Sequence, residues 1–433
     1  MAYSLVIKDG IVVDPFKGAR EGLDVGIRGE RIENVGRNLA GERELSARGR
    51  YVFPGFIDPH VHLRDFEWAH KEDYETGTRA AANGGVTTVA EMPNLPGHPT
   101  LSAAVAAEKK ERANHAGVVD VLFWGGVRED NLDRIEEMPG EVVGYKIYIC
   151  ESTGGLYLPI DLLDRALQAI ESTDRPVTIH CEDHATIEAR RHLYDADNGI
   201  SHCDARPPDA EVAGIKAVLE VSYSHNATIN IAHLSTSRGL REIRQARKDR
   251  FMDSTVFCEA TPHHAYYNKF AMLADGETGK ARKMNPPLRP DIDRQSILRG
   301  LREGDINMVA TDHAPHTWIE KMKENPSGVP GLDTYGNFVA WLLVEQGISA
   351  KRLAQLTSYN AARFLGLNDR GMIESGYLAD IAIIDVSTKE KVRGSRHQTK
   401  CGWSPFEGET FPGRVEYTIF RGRIIKKDGK IQA

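Results

Sequence analysis

The sequence predicts an α/β protein: a closed (β/α)8 barrel joined to a small β-sandwich built from both chain ends. Between about 54 and 377, short apolar runs alternate with amphipathic helical patterns, which is how a parallel sheet is written. Eight such units imply a closed barrel rather than an open sheet. Both ends follow a different grammar of short strands and glycine turns, and an end of roughly fifty residues is too small to stand alone. The expected division is therefore 1–53 and 378–433 for the two parts of the sandwich, with 54–377 as the inserted catalytic barrel.

In chain order, Leu5-Val6-Ile7-Lys8 and Ile11-Val12-Val13 flank Asp9-Gly10, a two-residue hairpin signal. Asp24–Ile27 and Arg31–Val35 continue the strand pattern. The barrel strands are expected at Gly55–Asp58, Val86–Glu91, Val118–Trp124, Val142–Ile149, Pro176–His180, Thr228–His233, Thr255–Glu259 and Ile306–Thr311. Helices are expected between them, at Tyr74–Asn83, Ser102–Ala113, Ile160–Glu171, Ala210–Ser222, Ser237–Arg247 and Arg294–Arg302. Leu378–Asp385 and Val415–Phe420 return to strands, and Asp428-Gly429 marks another turn.

Composition narrows the function. With 433 residues, 41% of them hydrophobic and 27% charged, the chain has the make-up of an ordinary globular enzyme with a sizeable core. A net charge of -7 argues against a nucleic-acid or anionic-membrane surface. The basic run Arg241–Arg250 reads as a solvated helix face. No run of about 18 apolar residues suggests a membrane span, and the first residues lack the layout of a signal peptide. Five scattered cysteines without a CxxC pair read as reduced thiols, so the expected location is cytoplasmic.

Chemistry in such a barrel sits at the C-terminal ends of the strands. Strand one ends in His60 and His62, two apart and so on one face of an extended chain. Strand four carries Lys146, strand five ends in His180, strand six in His233, and strand eight in Asp312. Each has a plain alternative: a satisfied core histidine, a salt-bridging lysine, an aspartate capping the next helix. Together at five strand ends they read as a two-metal site. Imidazole and carboxylate donors suit zinc, and two such ions a few ångströms apart lower the pKa of a shared water. A bridge between the ions needs two oxygens. An ordinary lysine has no acceptor to offer, whereas one carboxylated by CO2 does. Glu151 is the alternative acidic bridge.

Longer motifs surround these residues: Asp58-Pro59-His60-Val-His-Leu-Arg64, the run from Gly84 to Met92-Pro93-Asn94, Ile179-His180-Cys-Glu-Asp183, Ala232-His233-Leu-Ser235, Cys258-Glu-Ala-Thr-Pro-His-His264, Asn285-Pro-Pro-Leu-Arg289, Ala310-Thr-Asp-His-Ala-Pro-His316 and Lys400-Cys-Gly-Trp-Ser-Pro-Phe406. In these the whole chain resembles the dihydroorotases of the cyclic amidohydrolase superfamily. HxH and the aspartate belong to the whole superfamily; the arginine after HxHL, the MPN, the NPPLR and the DHAPH are the narrower marks.

The resemblance implies two zinc ions per chain, bridged by carboxylated Lys146 and a hydroxide. His60 and His62 with Asp312 would hold one, and His180 and His233 the other. Arg64, Asn94 and His316 would bind the substrate carboxylate and Asn285 the dihydropyrimidine ring. Asp312 would be the general acid and base in the reversible closure of N-carbamoyl-L-aspartate to L-dihydroorotate. A homo-oligomer fits the resemblance, and no nucleic-acid or membrane partner does. A hydantoinase or allantoinase on the same scaffold is the first alternative, and a non-catalytic scaffold subunit the second. The loop after Arg64 departs from the family's acid-Pro-Gly, reading Asp65-Phe66-Glu67-Trp68. The segment from His316 to Gly331 is expected to close over the substrate. His263 and His264 are expected behind the site; Trp403 and Phe406 are expected to pack between barrel and sandwich.

Overall fold

A computed structural model describes residues 2–151, 153–195, 198–250, 255–273 and 277–432. Its centre is an eight-stranded parallel sheet of Phe56–Val61, Val86–Glu91, Asp120–Gly126, Gly144–Tyr148, Val177–His180, Ile229–Ile231, Val256–Ala260 and Met308–Val309, neighbours in sequence also being neighbours in space. All eight expected strands are present. Last meets first at a parallel bridge between Val61 and His313, where the His62 N–H donates to the His313 carbonyl at 2.7 Å. Asp58 closes the same seam. Its buried carboxylate accepts from the Thr311 N–H and hydroxyl and from the His60 N–H.

The helices lie where the apolar periodicity placed them. Tyr74–Asn83 starts on Asp73, whose side chain accepts from the Thr76 N–H in a capping box. Pro208–Ser222 begins with proline in its first turn, where the missing N–H costs nothing. The basic helix Ser237–Arg250 is less solvated than expected. Arg247 is buried, donating to the Val256 carbonyl at 2.9 Å, and Arg244 pairs with Asp305. Those two arginines fasten the helix to the bottom of the barrel; the last two side chains of the run, 249 and 250, lie outside the described residues.

The chain ends meet in one nine-stranded sheet, in which Tyr51–Pro54 pairs antiparallel with Ile381–Asp385 and parallel with the first strand. The Asp9-Gly10 hairpin is not formed: Leu5–Asp14 is one strand with a bulge. Asp9 takes φ 57° and its N–H donates to Asp24. A side chain on Gly10 would strike Val52, its Cβ only 2.5 Å from a methyl carbon. The bulge is where the strand changes partners, from 44–46 to 51–52. Asp428-Gly429, with φ 50° and 76°, is a true turn, joining Arg423–Lys427 to Lys430–Ile431. Among the described residues no helix is long and apolar enough to cross a membrane.

Candidate active site

Strand one places His60 and His62 on one face, and Asp312 comes to them from the end of strand eight. The Asp312 carboxylate lies 3.0 Å from His62 Nε2 and 3.4 Å from His60 Nε2. His180 and His233 face one another edge-on, ring centres 4.5 Å apart, and His233 lies 5.3 Å from His60. The four rings and the carboxylate line one cavity with Arg64, Asn94, Tyr148, Thr153, Asn285, Ser327 and Gly328. Arg64, His233 and Asp312 all hold positive φ (63°, 34° and 47°), a backbone strain that non-glycine residues carry mainly where a side chain must be aimed.

The imidazoles are prepared as ligands. His60 Nδ1 lies 2.5 Å from Glu259, and His62 Nδ1 lies 2.8 Å from Asn94 Oδ1. Each acceptor draws the ring proton to Nδ1 and leaves the Nε2 lone pair facing the cavity. His180 Nε2 lies 2.7 Å from Glu182, and the Cys150 thiol lies against the same ring. His233 Nδ1 is buried with no partner among the described residues. Burial pushes the His60 ring down and the His62 and His233 rings well down, which keeps them neutral. Burial also opposes charge on His180, but Cys150 and Glu182 outweigh it and push that ring up to about 9.

Lys146 is fully buried on strand four, and its amine has no hydrogen-bond partner among the described residues. Burial pushes it down to about 8, against the pull of Glu259 and Asp312. An amine without a partner, near neutrality and beside metal-ligand side chains, suits carboxylation better than a salt bridge. Four imidazoles, one carboxylate and this amine fit a pair of divalent ions. Glu151 does not bear on the bridge, being on the surface and paired with Arg191 at 3.1 Å.

Arg64 is 4% exposed and, among the described residues, forms no ion pair, although Asp312 acts on its charge from across the cavity. Its Nε donates to the Pro315 carbonyl at 3.3 Å and its plane lies 5.3 Å from the Trp68 ring centre. Asp65 instead takes Arg112, at 2.7 Å. The loop that departs from the family pattern thus supplies Trp68 as the wall behind Arg64. His316 sits in the same corner, its Nδ1 3.1 Å from the Lys71 amine. Its Nε2 lies 3.2 Å from the Ser327 carbonyl and 3.4 Å from an Arg64 Nη, so both ring nitrogens are taken up by the protein. Burial and the Arg64 and Lys71 charges hold this ring far below its usual range.

Asn94 is more committed than its expected role requires. Besides accepting from His62, its amide donates to the Thr153 carbonyl at 3.1 Å. Asn285 Oδ1 accepts from the Ser327 hydroxyl at 3.1 Å and lies 2.9 Å from His202 Nε2. His264 packs behind, spanning Thr261 and the Pro286 carbonyl. Trp403 is tied to the site itself, its indole N–H donating to the His316 carbonyl at 2.8 Å, while Phe406 stacks on Tyr267.

Sequence reasoning missed Glu259. This buried carboxylate at the end of strand seven takes His60 Nδ1, the His233 N–H at 3.2 Å and the Asn230 amide at 2.8 Å. It therefore steadies one ligand of each expected metal. The signal was a carboxylate at a strand's C-terminal end, inside a motif whose histidines drew the attention instead. Glu182 was missed likewise; it holds His180 and is itself held by Arg206 at 2.5 Å.

Comparison with known proteins fits this geometry. Residues 51–425 match the model of the amidohydrolase family. A dihydroorotase of Halobacterium salinarum is 35% identical over 97% of this chain and 96% of its own. A dihydroorotase of Ruminiclostridium cellulolyticum is 34% identical over 98% and 99%. Among solved structures, an L-hydantoinase (dihydropyrimidinase) from Arthrobacter aurescens superposes with a TM-score of 0.93 at 24% identity, covering 100% of this chain and 98% of its own. That last likeness speaks for the fold.

Proposed function

We propose that this chain, which belongs to the amidohydrolase family, interconverts N-carbamoyl-L-aspartate and L-dihydroorotate. It is a hydrolase of a cyclic amide C–N bond, acting in pyrimidine biosynthesis chiefly in the ring-closing direction. The observation that carries the choice of substrate is Arg64, a buried guanidinium in the same cavity as the ligand set and without an acid of its own. Such a group waits for an anion, and dihydroorotate brings a carboxylate to it.

Two zinc ions would be held by His60, His62 and Asp312 on one side and His180 and His233 on the other, with carboxylated Lys146 shared between them. When bound, the metals supply a water-derived nucleophile at neutral pH and polarise the amide carbonyl. The chain's own residues do the rest. Arg64 grips the substrate carboxylate and so fixes which face of the ring meets the metal side. Asn94 holds His62, and His316 and Asn285 wall the carboxylate and ring ends. In hydrolysis Asp312 accepts the proton of the attacking water and delivers it to the departing ring nitrogen; ring closure runs these transfers backwards. Burial raises the Asp312 carboxyl above the ordinary range, which suits a group that must hold a proton part-way through. Ser327 and Gly328, from the segment after His316, form the lip of the cavity.

A hydantoinase would share the ligands but have no use for Arg64. The test is a parallel assay of purified protein on L-dihydroorotate, hydantoin and allantoin. Turnover of dihydroorotate well above the other two is expected; preference for either uncharged ring would overturn the reading.

A further inference from the structure

The carboxylate corner is short of uncommitted donors. Asn94 has its amide spent on Thr153, and His316 Nε2 is already taken up between the Ser327 carbonyl and Arg64. The cavity is also lined by Tyr148, the last residue of strand four. It is 3% exposed, and its hydroxyl has no hydrogen-bond partner among the described residues. Its ring is held firmly, 5.9 Å from the His180 ring and with the Lys146 amine 4.9 Å from its centre. Lys146 and Tyr148 are two apart on a strand, so the residue that serves the metal side also fixes the direction of the phenol. An orphaned buried hydroxyl costs stability, and in a native site it calls for a missing partner.

We infer that the Tyr148 hydroxyl is a substrate-contacting donor, giving its hydrogen to the ring carboxylate gripped by Arg64. The inference rests on the reading of the substrate given above. A phenol donates without carrying charge and adds to the guanidinium the second direction that a carboxylate's lone pairs require. It also sets specificity, because a cyclic ureide without the carboxylate leaves the hydroxyl unsatisfied.

Tyr148→Phe keeps the ring and removes only the oxygen. We expect KM for L-dihydroorotate to rise at least tenfold, while metal content stays at the wild-type level and the melting temperature of the free protein holds or rises. Inhibition by orotate should weaken by a similar factor, and inhibition by uracil, which lacks the carboxylate, should not change. An unchanged KM would overturn the inference, as would equal weakening of orotate and uracil. A fall in melting temperature beside an unchanged orotate affinity would assign the hydroxyl a structural role. Wild-type protein inert on dihydroorotate would instead defeat the substrate reading, so the two failures are told apart.

Discussion

Replacing Arg64 by alanine removes the charge that distinguishes a carboxylate-bearing substrate, and the structure sets the size of the effect. Arg64 is buried, and burial pushes its guanidinium down only to about 10, so it remains charged at neutral pH. Its Nε donates to the Pro315 carbonyl at 3.3 Å and one Nη lies 3.4 Å from His316 Nε2, which leaves further N–H groups to meet substrate. A hydrogen bond between charged partners is worth roughly 1.5–3 kcal/mol, which is about 10- to 150-fold in kcat/KM. The loss should be greater if the carboxylate also orients the ring for attack. Arg64→Lys should recover part of this, since a point charge does not reproduce the planar fork. Two further readings separate this from general damage. The metals should stay, because Arg64 is not a ligand. The melting temperature should not fall, because an unpaired buried charge is a cost that alanine removes. The assay is kcat/KM on L-dihydroorotate with metal content measured on the same preparation. Near-normal turnover with full metal would refute the clamp, and loss of metal together with activity would make Arg64 structural.

Lys146→Ala should lose metal and activity together, from a starting content of two ions per chain by elemental analysis. Short carboxylic acids should restore part of both by entering the vacated bridge; wild-type protein that is active with a single ion would defeat the paired site. Glu259→Gln should lower metal affinity about 10- to 100-fold, the usual cost of removing a carboxylate behind a histidine ligand. Gln cannot accept from both His60 and Asn230, so calorimetric titration with zinc giving wild-type affinity would remove Glu259 from its assigned role. The pH dependence follows from the sign of the Asp312 shift. Burial raises it above the ordinary carboxylate range, so the ionised form that hydrolysis needs disappears as pH falls through that raised pKa, earlier than for an exposed aspartate. Ring closure needs the protonated form and should weaken as pH rises. Opposed profiles for the two directions are expected, and parallel profiles would contradict one carboxylate serving as base and acid.

Much of this was legible in the sequence because the barrel writes its chemistry at regular intervals. Apolar runs of strand length located all eight strands, and reading only their C-terminal ends collected His60, His62, His180, His233 and Asp312 into one cavity wall, with Lys146 buried on strand four. The misses have a common cause. Asp9-Gly10 has the local chemistry of a turn, but packing against Val52 and the Asp24 hydrogen bond keep the strand running, and neither is local. Arg247 belongs to a run that looks solvated, yet the carbonyls of Val256 and Asp305, outside the helix, draw it inward. Glu259 and Glu182 look like any carboxylate in a motif until the fold puts a histidine against each. Pattern finds the groups that face the cavity; it does not find the groups behind them.

That difference bears on how the site separates its substrates. The hydantoinase from Arthrobacter aurescens shares the fold at 24% identity, so the barrel alone does not choose the ring. The choice falls to the corner where Arg64 leaves strand one. There three consecutive residues, Arg64, Asp65 and Phe66, take positive φ (63°, 61° and 46°). A left-handed run of L-residues is costly and needs holding. Arg112 does so by taking Asp65, which also accepts from the Tyr74 N–H, and Trp68 backs the guanidinium. The acid beside Arg64 is thereby turned away from it. Had Asp65 paired with its neighbour, the charge would be neutralised and a substrate carboxylate would have to displace it. Spending Asp65 on Arg112 leaves Arg64 buried, charged and without an ion pair among the described residues, so on the proposed reading the strained loop denies the arginine a carboxylate until substrate brings one.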